Sequence, residues 1–297
     1  MSRSRKAGRA LAIGKFDALH LGHRELLRRA ATHATPTLLG FTGMAAELHW
    51  DARAPLVDAP ERARVLARWN ADLDAAAGEI FLPFAAIRPL DAGAFLDLVR
   101  DSLGAVALVV GKDFRCGRGR ATGVDELAGL AQARGLVLDV VPPVLVAGAP
   151  ASSSRVREAL AVGDVASAAA VLGRPHRIAG VVAHGAGRGR TIGVPTANLA
   201  AITTHIPAIG VYAARAWHRG NSYAAAVNIG RAPTVGSGRA VIVEAHFIGA
   251  QVDLYGDEIH LDFIARLRDE QRFAGLDALK AQLATDIAQA RSIASLP

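Results

Sequence analysis

The sequence predicts two folds in tandem: an α/β unit built on a parallel sheet, then a mainly antiparallel β-barrel or sandwich closed by a helix. Three observations carry this. Up to about residue 173, short apolar runs alternate with amphipathic stretches. Beyond it, β-type runs broken by glycine, asparagine and proline take over. Near the end, Leu276, Leu279, Leu283, Ile287 and Ile293 fall at a spacing suited to a helix packed on a sheet.

In chain order, residues 10–13, 37–41, 80–83, 105–110 and 137–141 read as buried strands. Amphipathic segments at 20–32, 60–69, 92–103 and 125–134 lie among them. Strand–helix alternation at these intervals implies a parallel sheet covered on both faces. Such sheets take their ligands beyond the carboxyl ends of the strands. The second part offers strands at 178–183, 211–217, 223–228, 240–247 and 258–263, then a helix over 276–293. Arg174-Pro175 marks the seam, giving domains 1–173 and 174–297.

Composition narrows the function classes. The 297 residues are 51% apolar, enough for sizeable cores, but aromatics are scarce, so alanine, valine and leucine must do most of the packing. A net charge of +7 favours anionic partners. The arginines that dominate it are dispersed along the chain, as on a solvated surface with a few phosphate contacts. Cys116 is the only cysteine, which excludes an intrachain disulfide and a cysteine-based zinc site. No apolar run reaches the roughly 18 residues of a membrane span, and the basic opening lacks the apolar stretch of a signal peptide. A soluble, cytoplasmic protein is the expectation.

Residues 12–23 read A-I-G-K-F-D-A-L-H-L-G-H. Gly14 lets the chain turn off the first strand, His20 and His23 share one face of a first helical turn, and Gly22 opens the backbone to a phosphate. N–H groups at a helix start attract anions. Two imidazoles beside them can hydrogen-bond a phosphoryl oxygen as charge builds on it. A capping turn with one surface and one buried histidine accounts for the same string. Zinc fits less well, because no third ligand is near and the i, i+4 histidine pair is missing. Residues 152–157, S-S-S-R-V-R, stand where a loop gives way to a helix at 156–161. They read either as an ordinary N-cap or as hydroxyls and guanidinium groups suited to ATP phosphates.

With these segments the chain resembles the HxGH nucleotidyltransferases, and specifically the N-terminal half of bacterial bifunctional riboflavin kinase/FAD synthetases. The family's G-x-F-D-G-x-H-x-G-H is similar to the run from Gly14 to His23. Its S-S-T-x-I-R is similar to the run from Ser152 to Arg157, and its G-x-D-F-x-F-G to the run from Gly111 to Gly117. The resemblance implies a Rossmann-like nucleotidyltransferase domain in which His20 and His23 stabilise the α-phosphate during adenylyl transfer. Ser153 and Arg157 would grip the triphosphate, and Gly14, Phe16, Asp17 and Asp113 would complete the binding surface. Ala18 stands for a family glycine and Cys116 for an aromatic. Residues 40–45 read G-F-T-G-M-A where the family has a T-F-[DE]-P-H-P loop, a departure that bears on nucleotide choice.

In the second part, residues 185–190 read G-A-G-R-G-R after a strand. Backbone amides of such a loop can cradle phosphate, and a flexible turn explains them too. Next come Gly193-Val194-Pro195-Thr196-Ala197-Asn198. Pro195 fixes the backbone, while the Thr196 hydroxyl and Asn198 amide can present oxygens to one hard cation that also binds nucleotide phosphates. In a plain turn, Asn198 would only bond its own backbone. Glu244, between apolar neighbours, is either a surface residue of an alternating strand or a placed general base.

This half closely resembles the riboflavin kinase domain, whose pattern is G-x-x-x-G-R-x-x-G-x-P-T-A-N-L. Further matches follow in order: G-V-Y-A at 210–213, N-I-G at 228–230 with Pro233-Thr234, V-E-A-H at 243–246, D-L-Y-G at 253–256, and L-R-D-E at 267–270 before Phe273. Val194 replaces a commoner phenylalanine. The resemblance implies that Thr196 and Asn198 bind Mg²⁺–ATP, that Glu244 is the base, and that Gly185, Gly189 and Arg190 hold phosphates. Pro195, Asn228 and Arg268 would belong to the same site.

Three readings stand at this point. The first is a bifunctional enzyme that turns riboflavin into FMN and FMN into FAD, spending ATP at each step and releasing ADP at the first. The second keeps the kinase but makes the N-terminal domain a flavin- or nucleotide-binding module with lost or altered transfer, as the changed residues 40–45 suggest. The third is a nucleic-acid-binding protein; it lacks aromatic-interleaved basic patches and a K-M-S-K-S-like element. The first is the expectation, with riboflavin, FMN, FAD, ATP and ADP as partners and no nucleic acid, membrane or obligate protein partner.

Overall fold

A computed structural model describes residues 8–51, 53–184, 192–233, 239–250 and 252–294. Contacts group these into two compact units. One comprises the described residues up to Arg53 together with Ala59–Ser152, the other Ala54–Asp58 and the described residues from Ser153 onward.

The first unit holds β1 (Arg9–Ile13), α1 (Leu21–Ala30), β2 (Thr35–Thr42), α2 (Met44–Glu47), α3 (Ala59–Leu73), β3 (Gly78–Pro83), α4 (Phe84–Ile87), α5 (Ala92–Asp101), β4 (Ala105–Gly111), α6 (Val124–Gln132) and β5 (Val137–Val141), then a small hairpin of β6 (Leu145–Val146) and β7 (Ala149–Pro150). Its five-stranded sheet is wholly parallel, in the order β3-β2-β1-β4-β5. Alternation along β1 explains why both faces are covered. Leu11 and Ile13 join Phe95, Leu96, Val99, Leu108 and Leu127 in one apolar cluster with α5 and α6. Ala10 and Ala12, equally buried, face the other way, and α1 packs on that sheet. The strands run parallel throughout, but the order in which they are added reverses between β1 and β4, so the crevice at their carboxyl ends is where a doubly wound sheet takes its ligand.

Away from that edge, one ion cluster ties α1 to β5. The buried Asp139 accepts from Arg29 Nε at 2.9 Å and meets His33 Nε2 at 2.8 Å. The Arg29 hydrogen bonds, first of all, and then those of His33 hold its carboxyl below the usual range against the opposing effect of burial. A carboxyl depressed on folding contributes stability that is present above its unfolded pKa of about 3.9 and lost as pH falls through the folded value. Asp139→Asn is therefore expected to cost about 1.5–3 kcal/mol at neutral pH. The difference from wild type should shrink towards pH 3, as read from urea unfolding midpoints at the two pH values.

The second unit opens with α7 (Ser153–Ala161) and α8 (Val165–Leu172). It continues through β8 (His176–Ala183), β9 (Ala197–Ala200), β10 (Gly210–His218), β11 (Asn221–Pro233), β12 (Arg239–Phe247) and β13 (Glu258–Arg268) to α9 (Leu276–Ala294). Six strands close into an antiparallel barrel, β10-β11-β12-β9-β8-β13, which settles barrel over sandwich. Val227, Ile229, Val243, Ala245, Leu261 and Phe263 are buried in the unit. α9 covers Ala213, Ala224, Ala226 and Leu267 on the outside through Ala290, Ile287 and Ile293, whereas Leu276, counted in the same stripe from sequence, is exposed at the start of the helix. Because α8 packs on β13 and β8, contacts group residues 153–172 with the barrel, ahead of the 173/174 boundary expected from composition.

Candidate active sites

At the carboxyl end of β1, the turn into α1 is held by its own histidines. His20 is the N-cap residue and not the first helical one, a shift of one position from the expected helix. Its Nδ1 accepts the Gly22 N–H at 3.1 Å, and His23 Nδ1 accepts the His20 N–H at 3.3 Å. This is a reciprocal capping box made of imidazoles where serine and glutamate are usual. The rings stack with centroids 3.7 Å apart, and Phe16 sets its ring edgewise on His23 at 4.9 Å.

Each Nδ1 that accepts is unprotonated, so each neutral ring carries its proton on Nε2. Both rings are thus donors at the helix N-terminus, where the backbone already favours an anion. A Cβ at Gly22 would come within 3.0 Å of the His20 ring and 3.6 Å of the Ala151 carbonyl. The glycine makes room for the imidazole first.

The rest of the turn is held in a costly conformation. Phe16 and Leu19 have φ of 52° and 48°. Arg62 donates to the Phe16 carbonyl at 2.7 Å and to Glu79 at 2.6 Å, fixing the loop from α3. A Cβ at Gly14 would lie 3.2 Å from the Phe16 ring. Asp113 brings Oδ1 to 3.0 Å from the Cβ position of Gly111, at the end of β4. Burial, and then Glu126, push the Cys116 thiol up to about 11, so it stays protonated and is no nucleophile. Ser153 begins α7, and Arg157 Nη1 donates to the Ala54 carbonyl at 2.9 Å. In residues 40–45, β2 runs to Thr42, Gly43 turns with φ 75°, and α2 starts at Met44.

In the barrel, register assembles the second cluster. Glu244 of β12 lies opposite Asn198 of β9 on one side and Asn228 of β11 on the other. Directly opposed residues share a face with Cβ atoms about 4.5–5.5 Å apart. The intervening residues Val243, Ala245, Val227 and Ile229 are buried, so the polar row belongs to the opposite face of their strands. Thr196 leads into β9, and the Pro195 carbonyl is held by His246 Nδ1 at 2.8 Å. The Glu270 carboxylate and Asn228 amide both come up to Gly230, within 2.8 and 3.3 Å of where a Cβ would sit. A second carboxylate therefore stands beside the row.

Arg268 turns onto α9: its guanidinium meets the buried Asp286 at 2.7 Å and lies over the Phe273 ring. Gly185, Gly189 and Arg190 lie outside the described residues. Arg62, His246 and Glu270 are the contributors that sequence reasoning passed over. His246 and Glu270 sit within quoted motifs, whereas Arg62 acts across 46 residues and leaves no local signal.

A family model described as FAD synthetase matches residues 2–155, and one described as riboflavin kinase matches residues 172–294. A bifunctional riboflavin kinase/FMN adenylyltransferase from Pseudomonas fluorescens is 35% identical over 298 residues, covering 99% of this chain and 95% of its own. The chain belongs to the bifunctional riboflavin kinase/FMN adenylyltransferase family. Its counterpart from Escherichia coli K12 is 36% identical over 305 residues, covering 100% of this chain and 96% of its own.

Such an enzyme phosphorylates riboflavin to FMN and adenylylates FMN to FAD, both with ATP. The two family matches and the full-length bifunctional relatives speak for transfer in the N-terminal part rather than for a binding-only module. Among solved structures, a Streptococcus pneumoniae protein named as a macrolide-efflux protein superposes with a TM-score of 0.85. It is 27% identical and covers 96% of this chain and 95% of its own. No helix among the described residues is long and apolar enough to cross a membrane.

Proposed function

We propose that adenylyl transfer is carried by the turn of His20 and His23, and riboflavin phosphorylation by the row of Asn198, Glu244 and Asn228. The observation that carries the first assignment is the imidazole capping box. It sets both imidazoles at a helix N-terminus on the ligand edge of the sheet, each oriented by a backbone N–H on its Nδ1. An FMN phosphate oxygen attacks the α-phosphorus of ATP and pyrophosphate leaves. The donors bond the nonbridging oxygen as its charge grows, and each such donor contributes about 10²–10³ in rate. Gly14, Phe16 and Asp17 shape the turn, and Asp113 stands at the end of β4. For Ser153 and Arg157, support comes from the motif and its place at the start of α7.

In the barrel, the riboflavin 5′-hydroxyl attacks the γ-phosphate of ATP and gives its proton to Glu244, placed between two asparagines. The donor set fits Mg²⁺. No cluster of three histidine, cysteine or acidic side chains suited to a metal occurs among the described residues, and magnesium needs only one or two protein oxygens beside substrate phosphates. Thr196 and Asn198 would hold it, with the turn fixed by Pro195 and His246. When bound, it neutralises charge on the transferring phosphoryl group. Gly185, Gly189, Arg190 and Arg268 enter the site by motif, the guanidinium of Arg268 being held by Asp286, and Asn228 borders it opposite Glu244.

The functional division is 1–173 for transfer and 174–297 for the kinase. The reading requires riboflavin, FMN, FAD, ATP and ADP, needs no nucleic acid, membrane or obligate protein partner, and places the work in the cytoplasm. Incubation with riboflavin, ATP and Mg²⁺, with flavins resolved by chromatography, should show FMN and then FAD. FMN that never proceeds to FAD would sink the transfer assignment.

A further inference from the structure

Three loops leave the carboxyl edge of the parallel sheet and carry groups that the capping-box chemistry does not use. Lys15 follows β1, Trp50 lies beyond α2 after β2, and Arg120 lies in the loop between β4 and α6. In the order β3-β2-β1-β4-β5, the loops after β1 and β4 flank the crevice at which winding reverses. Lys15 and Arg120 come from those two loops.

The Lys15 ammonium rests on the Trp50 indole, 4.1 Å from the ring centroid, and that indole is 48% exposed. Burial, then the positive charge of Arg120, lower the lysine's affinity for its proton, while Asp17 opposes them. Lys15 and Arg120 follow the paired neighbouring strands β1 and β4, and an anion held by both relieves the repulsion of their charges.

Arg120 is where it is at a cost. Its φ is 58°, a left-handed conformation that glycine or asparagine adopts far more easily. The surrounding loop imposes it. Cys116 and Thr122 exchange backbone hydrogen bonds of 3.0 and 3.1 Å. Arg115 clamps the carbonyls of Arg120 and Ala121 at 2.7 and 2.6 Å. Strain of this kind, over-determined by its surroundings, gathers where ligands are held.

We propose that Lys15 and Arg120 form an anion clamp for a phosphoryl group of the adenylyl-transfer substrates, with Trp50 as the face on which the Lys15 ammonium rests between turnovers. The clamp rests on the assignment of that reaction to the His20–His23 turn. Its ligand chemistry is phosphoryl oxygen, which FMN supplies as a monoester and ATP or pyrophosphate as a polyphosphate.

The test is the kinetics of FAD formation from supplied FMN and ATP, and of the reverse reaction from FAD and pyrophosphate. In Lys15→Met, loss of a charge-assisted contact should raise the KM of an anionic substrate about tenfold or more, with a smaller change in kcat. Lys15→Arg should recover most of it. A rise for FMN alone assigns the clamp to the attacking phosphate; a rise for ATP and pyrophosphate together assigns it to the leaving group. Arg120→Gly relieves the backbone strain, so that protein should melt no lower than wild type yet show the same rise. KM values for all three substrates within about twofold of wild type in Lys15→Met, or in Arg120→Gly, would overturn the clamp. Failure of the underlying assignment shows separately, as full FAD formation in the His20→Asn enzyme.

Discussion

Glu244→Gln is expected to stop FMN formation, lowering kcat by about 10²–10⁴ as for loss of a general base, while adenylylation of supplied FMN continues. Glutamine keeps the length and planarity of the side chain. The strand positions opposite Asn198 and Asn228 are unchanged, and only proton acceptance is removed. Thr196 and Asn198 stay in place, so the KM for ATP should move little. A half-buried surface glutamate of an alternating strand would behave differently, since such substitutions fall within about 0.5 kcal/mol of neutral and leave turnover alone. Chromatography of the flavins decides between the two. Loss of both FMN and FAD formation would argue against separate sites.

Individual elements show how far local pattern reaches in this chain. Strand β4 is a run of valine, leucine and alanine that can only be buried, and sequence and structure agree on it to within a residue. Strand β9 is four residues of Ala-Asn-Leu-Ala with no β-branched side chain, and the sequence reads it as part of a turn. It is a strand because β8 and β12 pair with it on either side. That pairing sets Asn198 opposite Glu244. The kinase residues were thus legible as types within motifs, but their alignment depends on register between strands up to 46 residues apart.

Barrel closure has the same origin, since β13 must pair with both β8 and β10. In the first unit, the strand–helix alternation announced the sheet and its ligand edge. Hidden were the contacts that hold the edge in shape: Arg62 on the Phe16 carbonyl and Arg115 on the loop of Arg120. Neither follows from a periodicity.

The second large effect is expected from the double variant His20→Asn with His23→Gln. From sequence, two histidines three apart fitted a phosphate site or a cap equally well, and the structure shows that they are a cap whatever else they do. Alanine at either position would confound the two roles, because removing an N-cap costs about 1 kcal/mol by itself. Asparagine is among the best N-cap residues, and its oxygen can accept the Gly22 N–H as His20 Nδ1 does. Glutamine at the third helical position can reach back to the N-cap N–H, completing an ordinary capping box. The variant therefore keeps both backbone hydrogen bonds and deletes both Nε2 donors. It should melt near wild type and still make FMN, while FAD formation falls by at least about 10²–10³, the loss expected for a single such donor. If FAD output survives with the cap restored, the imidazoles serve the helix and not the phosphate, and adenylyl transfer must be placed elsewhere in the molecule.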